Sequence, residues 1–126
     1  MASTELVQLF GALYGLLAVI FGAFGAHVLK KKLTPEQLQS FETGVKYQMC
    51  HAILLVSLGF FLDFTETLQH YMALCFILGT FLFSFSIYGL VISASAGRKL
   101  RILGPITPLG GLLLVMGWAL LLLQIL

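Results

Sequence analysis

Ten residues able to move a proton, hold an ion or bind a polar group lie within or at the ends of long apolar runs. They are His27, Glu42, Lys46, Tyr47, Gln48, His51, Ser84, Ser86, Tyr88 and Thr107. Such side chains are costly in an apolar setting unless they are paired or used, which makes them the default functional candidates. On a helix, Gly44, Gln48, His51 and Leu55 share one face at spacings of 4, 3 and 4, so Gln48 and His51 point the same way. Glu42 and Lys46 stand at i, i+4 in the favourable order and predict an ion pair. Two uses fit this set. One is a polar clasp, with His27, Gln48, His51 and a serine or tyrosine hydroxyl bonded across helices to fix their register. The other is a small polar pocket, open to one side, for a proton, an ion or a head group. The clasp is the preferred reading.

Other chemistries fit less well. His27 and His51 invite a haem or a metal, but at 1.5 Å rise per residue His51 lies about 10 Å deeper than His27. No Cys-x-x-Cys-His or His-x-x-x-His accompanies them. No cofactor and no metal are therefore expected. There is no P-loop, nucleophile elbow or Gly-x-Gly-x-x-Gly motif, and no paired carboxylates, so a non-enzymatic protein is expected. Cys50 and Cys75 both fall in apolar runs and read as small buried hydrophobes.

The elements that must position these residues follow from hydropathy. Hydrophobic residues make up 60% of the 126 and charged residues only 10%. A soluble domain carries about 25% charged residues, so most of this surface does not face water. Spanning a bilayer takes about 20 mainly apolar residues, and four windows qualify: roughly 6–28, 44–62, 68–93 and 106–126. The expected fold is an all-α, integral membrane four-helix bundle, a single domain over 1–126. Thr34, Pro35 and Gln37 form a capping-box sequence, and Leu38, Phe41 and Val45 follow on one apolar face. That predicts a short amphipathic helix between helices one and two or, equally, an extension of helix two. Residues Met1–Val7 lack the basic region of a cleavable signal peptide.

Charge placement sets an orientation. All seven basic residues (Lys30, Lys31, Lys32, Lys46, Arg98, Lys99 and Arg101) fall at one end of the predicted bundle. The positive-inside rule then puts both basic loops in the cytoplasm and both termini outside. All ten candidate residues converge on the cytoplasmic half. Association of helices in lipid relies on close packing through small residues. Gly11, Gly15, Ala18, Gly22 and Gly25 form such a face on helix one. Gly110, Gly111 and Gly117 do so on helix four. These faces serve as seams within the bundle or as a contact between copies.

Several blocks resemble a known family. They are Gly22-Ala23-Phe24-Gly25-Ala26-His27, Tyr47-Gln48-x-x-His51-Ala52, Ser84-x-Ser86-x-Tyr88 and Ile106-Thr107-Pro108-Leu109-Gly110-Gly111. The chain is similar over nearly its whole length to the YgdD-like, or transmembrane protein 256-like, family of small membrane proteins. Phe85 departs from the pattern, which tends to have glycine there. The resemblance implies a four-helix protein of the bacterial inner (plasma) membrane and implies no activity. The expected function is thus structural, or the binding of lipid or another small ligand. The runner-up is an oligomeric transporter of a small solute, proton or ion through the His/Gln cluster. Expected partners are the lipid bilayer, with anionic lipid at the basic loops, and further copies of the chain. Nucleic acid is not expected.

Overall fold

Local signals fix where each helix begins. The computed structural model describes residues 3–126. Ser3 caps α1 (Thr4–Leu29), its hydroxyl accepting from the Leu6 N–H at 3.2 Å. Thr34 caps α2 (Pro35–Phe61) through a complete capping box. Its Oγ1 accepts from the Gln37 N–H at 3.2 Å, while Gln37 Oε1 accepts from the Thr34 N–H at 3.0 Å. Pro35 at the first position sacrifices no hydrogen bond. The amphipathic stretch before residue 44 is therefore the opening of α2 rather than a separate surface helix. Its apolar positions stay in phase with the span, so nothing interrupts the backbone ladder. α3 runs from Thr67 to Ser95 and α4 from Ile106 to Ile125, preceded by a tight turn over Arg101–Leu103.

α1 and α3 each contain one wide π turn, at Phe21–Gly25 and Phe81–Phe85. A π turn inserts an extra residue and rotates everything beyond it by about 100° relative to a continuous α-helix. Both turns lie in the half of the molecule that carries the basic loops, called here the basic end.

The helices pack as two antiparallel hairpins, α1 with α2 and α3 with α4, joined along α2 and α3. Among the described residues α1 and α4 make no close backbone approach. The cross-section is thus a rhombus, with α2 and α3 on its short diagonal. Burial follows that plan: half of the α3 span and 39% of the α2 span are buried, against 22% for α1 and 17% for α4. Phe76, Leu55, Met72 and Val7 form the fully buried centre. Leu9, Leu16, Val19, Leu112, Val115 and Leu122 face outward along the two outer helices. The four helices are long and apolar enough to cross a membrane, and a bilayer covers that exterior.

Glycines set the spacing within each hairpin. A Cβ on Gly11 would lie 2.8 Å from Val56 Cγ2 and 2.9 Å from the Val56 nitrogen. Gly15 passes Ala52, Gly22 passes Val45, and Gly25 passes the Phe41 ring. In the other hairpin a Cβ on Gly110 would run into the Phe83 backbone, and one on Gly117 would lie 2.7 Å from the Phe76 ring. Gly111 has room, since its Cβ would meet Phe83 Cδ1 at an ordinary 3.6 Å. This contrast predicts that Gly110→Ala destabilises the detergent-purified protein by about 1–3 kcal/mol, because a backbone neighbour cannot step aside. Gly111→Ala should stay within about 0.5 kcal/mol of the parent. Denaturant titration followed by circular dichroism reads both, and equal losses would refute the close-approach account.

Candidate functional site

Gln48 sits at the middle of the polar residues and is fully buried. Its Nε2 donates to the Tyr14 carbonyl of α1 at 2.8 Å, and its Oε1 accepts from the Tyr88 hydroxyl of α3 at 2.7 Å. The partners dictate the amide orientation, since a carbonyl only accepts. Tyr14 extends the chain by donating from its own hydroxyl to the Ile77 carbonyl of α3 at 2.8 Å. Ser84, inside the π turn of α3, donates to the Gly44 carbonyl of α2 at 2.7 Å. Gly44 allows this approach, because a Cβ there would sit 2.7 Å from the Tyr88 ring. Three helices are thereby tied through backbone carbonyls whose second lone pair the helix leaves unused.

His51 belongs to a neighbouring group. Its Nδ1 is 2.7 Å from the Tyr47 carbonyl, one turn earlier on α2. Its Nε2 is 3.1 Å from Trp118 Nε1 of α4. The indole N–H can only donate and the carbonyl can only accept, so the proton is on Nδ1 and Nε2 accepts. Phe76 and Trp118 flank the imidazole, with ring centroids 5.9 and 6.0 Å away. A third contact links α3 to α4: Ser86 and Thr107 hydroxyls lie 2.6 Å apart, and Ser86 also donates to the Phe83 carbonyl at 2.9 Å.

The ten sequence candidates do not form one cluster. Gln48, Ser84 and Tyr88 come together, His51 takes its partners from Tyr47 and Trp118, and Ser86 pairs with Thr107. Ser84 and Ser86 separate because residues two apart on a helix face different neighbours. His27 is exposed on the last turn of α1, beyond the π turn, and takes no part. Glu42 and Lys46 are both exposed, and no ion pair within 4.0 Å joins them. Their polar ends point away from the protein, where the favourable spacing adds too little to hold two mobile side chains together. Tyr47 contributes its carbonyl and a ring 4.8 Å from that of Phe83, not its hydroxyl. Phe85 fills the gap between α1 and α3 against Tyr14, Phe21 and Tyr88.

Sequence reasoning singled out neither Tyr14 nor Trp118. Tyr14 flanks the small-residue face of α1, so it had to meet another helix. Trp118 lies mid-span, where an indole N–H needs a partner. Thr80 is 1% exposed and its Oγ1 has no partner, one turn before Ser84 on α3. Among the described residues no three histidine, cysteine or carboxylate side chains gather as metal ligands.

Four apolar spanning helices, cross-tied by neutral hydrogen bonds, define a small multi-pass membrane protein. The family described as "Protein of unknown function (DUF423)" matches residues 21–111. A "UPF0382 membrane protein" of Staphylococcus haemolyticus is 37% identical over 120 residues, covering 95% of this chain and 94% of its own length. The "UPF0382 inner membrane protein YgdD" of Escherichia coli K12 is 35% identical over 121 residues, or 95% and 88% of the two chains. A "UPF0382 membrane protein" of Schizosaccharomyces pombe is 38% identical over 109 residues, or 86% and 91%. This chain belongs to that family of membrane proteins. No solved structure matches it.

Removing the Gln48 amide strands the Tyr88 hydroxyl in an apolar core, so Gln48→Leu should destabilise by about 1–3 kcal/mol. Tyr88→Phe, which leaves the amide its second bond, should lose about 1 kcal/mol. Trp118 is the chain's single tryptophan. His51→Ala should therefore shift its emission, while Tyr88→Phe should leave the emission unchanged. Emission indifferent to His51 would break the assigned contact.

Proposed function

We propose that this chain is a non-enzymatic protein of the bacterial inner membrane, whose intramembrane polar residues are a structural clasp and whose working contact is with lipid at the basic end. The observation that carries the clasp is occupancy. Gln48, His51, Ser84, Ser86 and Tyr88 each spend their polar atoms on another part of the same chain. A pathway for an ion or proton would have to break those bonds in a medium that supplies no replacement. The printed name of the Escherichia coli relative supports the choice of membrane.

The lipid contact follows from charge. Lys30, Lys31 and Lys32 are exposed in the α1–α2 connection, and Arg98, Lys99 and Arg101 in the α3–α4 connection. The positive-inside rule supports placing this end in the cytoplasm and both termini outside. Basic side chains at an anionic leaflet contribute about 1 kcal/mol each.

Thermal melts separate the two halves of the reading. His51→Ala should melt lower than the parent with or without phosphatidylglycerol. Replacing Lys30, Lys31 and Lys32 by glutamine should leave the melt in detergent unchanged and abolish most of the stabilisation by phosphatidylglycerol. A lipid response that follows His51 instead of the lysines would overturn the assignment. Orientation has its own test in a background with Cys50 and Cys75 replaced by serine. A membrane-impermeant maleimide added to intact cells should label Thr65→Cys and spare Ser95→Cys, and the reverse pattern would invert the topology.

A further inference from the structure

α2 and α4 diverge over α3 at the basic end and leave a cleft of about 510 Å³. Its apolar wall comes from Ile87, Leu90 and Val91 of α3. Its polar rim carries Glu36 and Ser40 from the first turns of α2 and Lys99 from the α3–α4 connection. Two other polar residues of the lining are occupied, Gln37 by the cap of α2 and Thr107 by Ser86. Glu36 and Lys99 are exposed and form no ion pair with each other within 4.0 Å. The cleft therefore presents a carboxylate, an ammonium and a hydroxyl above an apolar wall.

We propose that this cleft binds the head group of a membrane phospholipid that bears a primary ammonium beside its phosphate, as phosphatidylethanolamine does. Lys99 faces the phosphate and Glu36 the ammonium, with Ser40 as a further acceptor. Three features select this class. Charges of both signs suit a zwitterion, whereas a purely anionic head group would meet Glu36 at close range. Carboxylate and hydroxyl acceptors suit an ammonium with N–H groups. A quaternary ammonium is instead recognised by aromatic faces, and no aromatic residue lines the cleft. The apolar wall continues into the spanning part of α3, so the ligand enters with its glycerol and acyl chains rather than as a soluble phosphate. The opposite groove, between α1 and α3, offers no such selection: its roughly 390 Å³ is lined by Phe24, Val28, Phe41 and Ile92 among other apolar groups.

The inference rests on the reading that the basic end lies in the head-group layer, but its test uses different residues. The full chain in detergent would be equilibrated with equimolar phosphatidylethanolamine, phosphatidylcholine and phosphatidylglycerol. Bound lipid is then counted by native mass spectrometry. The parent should retain the ethanolamine lipid over the choline lipid by about threefold or more, a ratio well inside what one charge-assisted contact supplies. Glu36→Gln should bring the two lipids to parity, and Lys99→Gln should reduce the ethanolamine and glycerol lipids together. Parity in the parent, discrimination that survives Glu36→Gln, or a preference for phosphatidylglycerol would each overturn the proposal. Displacement of the lipid by an equal concentration of soluble phosphoethanolamine would overturn the membrane source. Should Glu36→Gln melt low, Ser40→Ala and Lys99→Gln decide the matter. Lys30, Lys31 and Lys32 lie outside the cleft, so loss of their phosphatidylglycerol response leaves the ethanolamine discrimination standing, and the converse holds.

Discussion

A single amide holds three helices in place. Gln48 donates to α1 and accepts from α3 while standing on α2, and its burial leaves it no alternative partner. In water such a bond is worth little, because solvent replaces it. In lipid there is no solvent to replace it and no hydrophobic force between helices, so registry depends on interlocking small residues and on polar groups that would otherwise go unpartnered. Gly44 lets Tyr88 come close, and Ser84 then reaches the Gly44 carbonyl. Close packing and hydrogen bonding are here one device: the glycine that removes bulk is also the residue whose carbonyl is bonded.

The rhombic section follows from how that device is distributed. The links converge on α2 and α3, so the two helices richest in polar side chains become the shared diagonal. α1 and α4 lie outside, each buried over less than a quarter of its span. Trp118 brings α4 to α2 and Tyr14 brings α1 to α3. Toward the basic end neither of these two ties is repeated among the described residues, although Ser86 still bonds Thr107 and Gly25 still passes the Phe41 ring. The two grooves at that end differ in character because one is rimmed by the polar first turns of α2 and the other by the aromatic last turns of α1.

The spans, the cap at Thr34 and the shared face of Gln48 and His51 were all readable from residue type and spacing. Each depends on a period of 3.6 and on the intolerance of lipid for polarity. What periodicity could not show is where the period breaks. The π turn at 21–25 changes the phase of the last turn of α1, so a period of 3.6 does not place His27, which is exposed beyond that turn. Tyr14 was legible only in part: its place beside the small-residue face says that it meets another helix, but its carbonyl matters as much as its hydroxyl, and sequence carries no signal for which backbone oxygen receives a side chain. The Glu42–Lys46 pair shows the reverse case, a favourable spacing with no burial to hold it.

α2 is 27 residues long, about 40 Å at 1.5 Å per residue, against a hydrocarbon layer of about 30 Å. The polar side chains gather at one end, in about two turns that carry Glu36, Gln39, Ser40 and Glu42. This creates a one-sided hydrophobic mismatch. Lys46, exposed at the boundary, has a stem long enough to keep its charge at the interface as the boundary moves. A thicker bilayer takes up the apolar turn around Lys46 and a thinner one releases it, with no strain on the buried ties further in. Mismatch therefore falls on the polar opening of α2, away from the hydrogen-bonded centre of the bundle.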